Sequence, residues 1–127
     1  QAVHSEVDDL AKQHQHPVTL LAVSKKHSAE AIAQIHQQGQ TCFAENYVQE
    51  GVDKVSALEH LDIEWHFIGH LQRNKVKYIA PFIGLIHAVD SLRLLKEINK
   101  QAKRNDRVIS CLLQFHIADE DNYHGHE

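Results

Sequence analysis

The chain has 127 residues (14.5 kDa), is 43% hydrophobic and 24% charged, and carries a formal net charge of −4 with a pI near 6.3. That length holds one domain with a real core, and no apolar run approaches the roughly 18 residues that a membrane-spanning helix needs. Lysines and arginines are dispersed among acids, so there is no electrostatic footprint for DNA or RNA.

Taken in chain order, residues 3–14 place Val3, Val7, Leu10 and Ala11 on one side, which predicts an amphipathic helix. The polar start Gln1-Ala2-Val3-His4-Ser5-Glu6 lacks the apolar centre of a secretory signal. Val18-Thr19-Leu20-Leu21-Ala22-Val23 then reads as a fully buried strand that ends abruptly in Ser24-Lys25-Lys26. Ser28 caps a helix predicted over 29–38, with Ala29, Ile32, Ala33 and Ile35 as its apolar stripe and Gly39 as its end. A second strand follows over 41–45, then Asn46, then a helix over 47–60 with Val48, Val52, Val55 and Leu58 on one side. Residues 64–68 read as a third strand closed by Gly69, and 73–80 as a short helix stopped by Pro81. A fourth strand is predicted over 85–89 after Gly84, a helix capped by Ser91 over 92–103, and a fifth strand over 108–117. A polar tail occupies 118–127.

Strand starts at 18, 41, 64, 85 and 108 are nearly evenly spaced, and each interval holds a helical pattern. This is a βα repeat. It predicts parallel strands joined by right-handed crossovers, hence one α/β domain over 1–127. A closed (β/α)₈ barrel takes about 200 to 250 residues, so five strands correspond to the first half or more of one. Such a sheet has two open edges, through which the chain is expected to self-associate.

In parallel α/β folds, ligands collect outside the carboxyl ends of the strands, where Lys25 stands. A lysine there can condense with an aldehyde, provided the amine is neutral; partial burial at the strand end would favour that form. Strand alternation would turn Lys26 the other way. The alternative is an ordinary solvated pair of lysines. Asn46, just past the second strand, either faces a ligand or caps the following helix. His66 and His87, within the third and fourth strands, either face the barrel mouth or are satisfied core histidines. Gln72, Asn74, Lys75 and Lys77 follow the third strand and form either part of a site or a solvated face.

Twelve histidines invite a metal hypothesis, but His14-x-His16, His66-x-x-x-His70 and His124-x-His126 do not build a ligand set, and no metal is expected. No Gly-x-Gly or Gly-Lys-Ser/Thr cradle for phosphate occurs. Cys42 and Cys111 lie in predicted strands without zinc or disulfide spacing, which fits a reducing cytoplasm.

Three motifs at consistent separations carry a family resemblance: Ala22-Val23-Ser24-Lys25, Glu45-Asn46-Tyr47-Val48-Gln49-Glu50, and Trp65-His66-Phe67-Ile68-Gly69-His70-Leu71-Gln72-Arg73-Asn74-Lys75. On these the chain resembles the pyridoxal phosphate homeostasis proteins, with matches running from about residue 18 to 121. The resemblance implies a (β/α)₈ barrel like the N-terminal domain of alanine racemases. It further implies a non-catalytic carrier of pyridoxal 5′-phosphate in intracellular vitamin B6 homeostasis, the cofactor held as a Schiff base on Lys25. Asn46, His66 and His87 are then the candidates around the ring. Ala44 stands where the family usually has Gly, and Tyr123-His124-Gly125 where it commonly has Lys-x-Gly. The family's phosphate-binding loops belong to late strands that have no counterpart in this sequence. Competing readings are a pyridoxal-phosphate enzyme, such as a racemase or decarboxylase, and a barrel fragment without an intact site. An enzyme would also need an acid or base at the substrate's α-carbon and a surface to bind that substrate.

Overall fold

The computed structural model describes residues 20–114. Strands and helices alternate as β1 (Ala22–Val23), α1 (Ala29–Gln37), β2 (Cys42–Glu45), α2 (Val48–Ala57), β3 (Glu64–Phe67), a 3₁₀ turn (Arg73–Lys75) running into α3 (Val76–Ile79), β4 (Ile83–Val89), α4 (Leu92–Arg104) and β5 (Ser110–Leu113). The five strands form one sheet in the order β1-β2-β3-β4-β5, every neighbouring pair parallel. Parallel neighbours cannot be joined by a hairpin, so each strand returns through a helix. Sequential order with right-handed crossovers lays all the helices on one side of the sheet, as in a (β/α)₈ barrel. The α/β fold expected from the sequence is the fold observed.

Local chemistry sets the helix starts. Ser28 Oγ accepts from Ala31 N–H at 3.1 Å and Ser91 Oγ from Leu94 N–H at 3.1 Å, each satisfying a donor that the first turn leaves open. After α1 the chain turns through Gly39 at φ 109°, a conformation that costs glycine nothing.

The core lies between the sheet and its helices: Phe43, Trp65, Phe67, Ile83, Ile86 and Val89 from the strands meet Ile32, Val76, Ile79, Leu94 and Ile98 from the helices. Phe43 stands in register with Trp65, so both rings share this face, with centroids 6.0 Å apart. At about 1.5–3 kcal/mol for each large side chain removed from water, this layer is the main source of stability.

Several expectations change. Residues 18–19, the helix over 3–14, the end of the fifth strand and the tail lie outside the described residues. Within them, the buried first strand is an edge strand that pairs only with β2, and Val23 is 48% exposed. β4 starts at Ile83, so Gly84 lies inside the strand, at the register shift against β3. β5 starts at Ser110, and Val108 is 90% exposed. Ile35, placed in the α1 stripe, is exposed.

Candidate functional site

Register defines levels across the sheet. Val23 pairs with Ala44 and Ala44 with His66, while Glu45 pairs with Phe67 and Phe67 with Ile86. The backbone continues the pattern, with Ser24 N–H donating to Ala44 O at 2.9 Å and Ile68 N–H to Glu45 O at 2.9 Å. Ser24, Glu45, Phe67 and Ile86 therefore form one level, and Lys25, Asn46, Ile68 and His87 follow at the carboxyl ends of the strands. The first of these levels faces the helices: Phe67 and Ile86 enter the core, and the Glu45 carboxylate meets Lys54 of α2. Side-chain alternation then turns Asn46, His66 and His87 to the opposite face, which is the inner side of a barrel. Asn46, His66 and His87 thus share one face of the sheet, with His66 nearer its middle.

Lys25 lies in a turn beyond β1 and is exposed, without the partial burial expected of it. The turn, through Lys26 at φ 65°, and not strand alternation, separates the two lysines. Lys26 N–H donates to Glu50 Oε2 at 2.6 Å.

Beneath this turn lies a buried ionic cluster that the sequence reading did not identify. Lys54 Nζ donates to Ser24 O at 2.6 Å and to Glu45 Oε2 at 2.9 Å, and pairs with Glu50 Oε2 at 3.0 Å. Ser24 Oγ donates a short hydrogen bond to Glu45 Oε2. Ser24, Glu45 and Lys54 are all buried. The residues on both sides of Lys25 are therefore tied to α2 and β2, which fixes where the Lys25 backbone emerges. Contacts with Lys54, together with the Lys26 amide, hold the Glu50 carboxyl below its ordinary range. The signal in the sequence was a glutamate ending an otherwise apolar strand, followed by Glu50 and Lys54 at helical i,i+4 spacing.

Asn46 does not cap α2, whose N-cap is Tyr47 without a side-chain bond. Its amide oxygen is buried and has no hydrogen-bond partner among the described residues, an arrangement that normally costs stability unless a further group or water completes it. The following loop clasps this position. A Cβ on Gly69 would fall 2.2 Å from the Asn46 carbonyl oxygen, so only glycine permits the approach. Asn46 also borders an open cleft of about 500 Å³ lined by Tyr47, Gln49, His70, Gln72 and Lys75. Asn74 and Lys77 instead line a neighbouring groove beside α4.

His66 is buried, with Nε2 2.6 Å from Glu64 Oε2. His87 Nε2 lies 3.5 Å from His66 Nδ1. Burial, and then the neighbouring His66, lower the His87 pKa from its ordinary value. That shift favours the uncharged ring, one nitrogen of which can accept a hydrogen bond from a donor on this face.

The chain matches the family model for the alanine racemase N-terminal domain over residues 1–120. It is 42% identical to a pyridoxal phosphate homeostasis protein of Pasteurella multocida, covering 91% of this chain and 50% of that protein. With the Escherichia coli protein of the same name it shares 43% identity, over 85% of this chain and 47% of that one. Among solved structures, PipY of Synechococcus elongatus with PLP bound superposes with a TM-score of 0.74 at 34% identity, covering 89% of this chain and 55% of PipY. The chain spans about half the length of the curated relatives it matches.

Proposed function

The chain belongs to the alanine racemase N-terminal domain family, and from that premise we propose that it is a non-catalytic carrier of pyridoxal 5′-phosphate, held as a Schiff base on Lys25. The observation that carries this is the placement of Lys25: it leaves the carboxyl end of β1 from a turn anchored on both sides by Lys54, Glu45 and Glu50. The unsatisfied side-chain oxygen of Asn46 stands at the same level, just past the end of the next strand. Lys25 would hold the group through its ε-amine, and the group would supply the aldehyde with which that amine condenses, releasing one water. Asn46 offers its open hydrogen-bonding capacity to polar substituents of the ring. His87, with its lowered proton affinity, lies on the same inner face as an acceptor, and His66 orients it from below.

The names of the relatives support a role in cofactor homeostasis over catalysis, and PipY, which resembles this chain in fold, binds PLP. The acidic balance of the chain supports a small-molecule partner over a nucleic acid. Cys42 and Cys111 are free thiols, which supports a reducing, cytoplasmic setting. Among the described residues no helix is long and apolar enough to cross a membrane.

Adding pyridoxal 5′-phosphate should produce the near-ultraviolet to visible absorption of a protein-bound Schiff base, and borohydride should abolish it. Peptide mass mapping of the reduced protein should place the pyridoxyl group on Lys25, and Lys25→Ala should prevent it. Modification mainly at Lys26, or spread over exposed lysines, would refute the assignment. Turnover of an amino acid by the loaded protein would refute the carrier reading.

A further inference from the structure

The inner face of the sheet also brings together three side chains that no sequence motif joins. Cys42 opens β2 and stands in register with Glu64, which opens β3; His66 follows two residues later, on the same face as Glu64. One ligand atom from each of the three, a thiol sulfur, a carboxylate oxygen and a ring nitrogen, lies within 4.8 Å of the other two. We propose that Cys42, Glu64 and His66 form a binding site for a divalent transition-metal ion of the zinc class.

Three observations support the site. The first is spacing: around a tetrahedral ion with bonds of about 2.0–2.3 Å, ligand atoms sit roughly 3.3–3.7 Å apart, so modest side-chain rotations close the observed triangle. The second is donor chemistry. A sulfur, an imidazole and a single carboxylate suit a borderline ion such as Zn²⁺ and do not suit Mg²⁺ or Ca²⁺, which need oxygen cages. The third is the support behind His66. Its Nε2 already points at Glu64, and its Nδ1 faces His87 Nε2 at 3.5 Å. A metal-binding imidazole characteristically donates its other N–H to a nearby acceptor, and with Nε2 on the metal, His66 Nδ1 would face His87 Nε2 as that acceptor.

Burial divides the ligands by task. Cys42 and His66 are each 7% exposed, while the Glu64 side chain is 59% exposed and opens the route for entry. Binding releases the Cys42 thiol proton to solvent and forms a sulfur–metal bond. Three protein ligands leave the fourth tetrahedral position to water. The site requires nothing from Lys25 but shares His66 with the cofactor reading; Cys42 and Glu64 belong to the metal site alone, so variants at these two positions distinguish its failure from failure of that reading.

The full chain, stripped of metal with a chelator and kept reduced, is titrated with Co²⁺. The expected result is one equivalent bound with a near-ultraviolet thiolate-to-cobalt charge-transfer band, reversed by Zn²⁺. Cys42→Ser should abolish the band; Cys111→Ser and the double variant His124→Ala/His126→Ala should keep it. Glu64→Gln, which alters an exposed side chain and leaves the core intact, should weaken affinity about tenfold or more while keeping the band. Binding without the band, a band that survives Cys42→Ser, or unchanged affinity in Glu64→Gln would overturn the proposal.

Discussion

Replacing Lys54 by Met keeps most of the aliphatic stem and removes only the buried ammonium. Glu45, itself 2% exposed, would then retain the Ser24 hydroxyl as its side-chain donor and lose its compensating charge. The Ser24 carbonyl would lose a 2.6 Å hydrogen bond, and Glu50 its 3.0 Å pair. Breaking a buried ion pair from one side typically costs about 3–5 kcal/mol, because the remaining charge stays buried. Against a whole-domain stability on the order of 5–15 kcal/mol that is a large share. With a urea m-value of about 2 kcal/mol/M, the midpoint should fall by roughly 1.5–2.5 M. Urea titrations followed by circular dichroism measure this directly. Lys96→Met, on the exposed side of α4, is the control and should stay within about 0.5 kcal/mol of wild type. In a Glu45→Gln background Lys54→Met should cost less, by a coupling of about 1–3 kcal/mol, because no uncompensated carboxylate remains. A midpoint shift below about 0.5 M would put the pair in the range of a surface salt bridge and refute the reasoning.

Two glycines should answer oppositely to alanine. Gly69→Ala drives a Cβ to 2.2 Å from the Asn46 carbonyl oxygen and should cost about 3 kcal/mol in chemical denaturation; Gly51→Ala, in α2 with Glu45 Cβ an ordinary 3.7 Å away, should stabilise by about 0.5–1 kcal/mol. Acidification should weaken the fold in two stages. The His87 pKa is lowered by folding, so the unfolded chain takes up a proton first, and stability declines as pH falls through the ordinary value near 6.5; His87→Gln should flatten that stage in denaturation curves. The Glu50 carboxyl is also lowered, so its contribution is intact above the ordinary value near 4.5 and is lost below it; Glu50→Gln should remove that second stage. Among the described residues β1 and β5 each pair on one side only, and Leu112 and Leu113 are 51% exposed beside the β5 edge. We therefore expect concentration-dependent self-association in sedimentation velocity, and a stable 14.5 kDa monomer at high concentration would contradict it.

Much of this molecule is legible in the order of its residues, because the forces concerned are local. Hydroxyls at Ser28 and Ser91 meet open amides three residues on, so both helix starts stand where the sequence puts them. The alternation of strand and helix patterns demands parallel pairing, since nothing shorter than a crossover joins the strands. Lys25 stands out in the sequence because a lysine interrupts an apolar run at a strand end. What periodicity reports, however, is which residues share a face, not what that face meets. Val23 and Val108 look like core residues, yet they are exposed because a sheet edge and a strand entry leave them uncovered. Lys54 looks like a solvated helix residue until Glu45 and the Ser24 carbonyl converge on it from two strands. Cys42 meets Glu64 and His66 only through the register of β2 against β3. Register and burial arise from packing all the elements at once, so the partners of Lys54, Asn46 and Cys42 were decided in tertiary structure, while the strands and helices that carry them were already written in the chain.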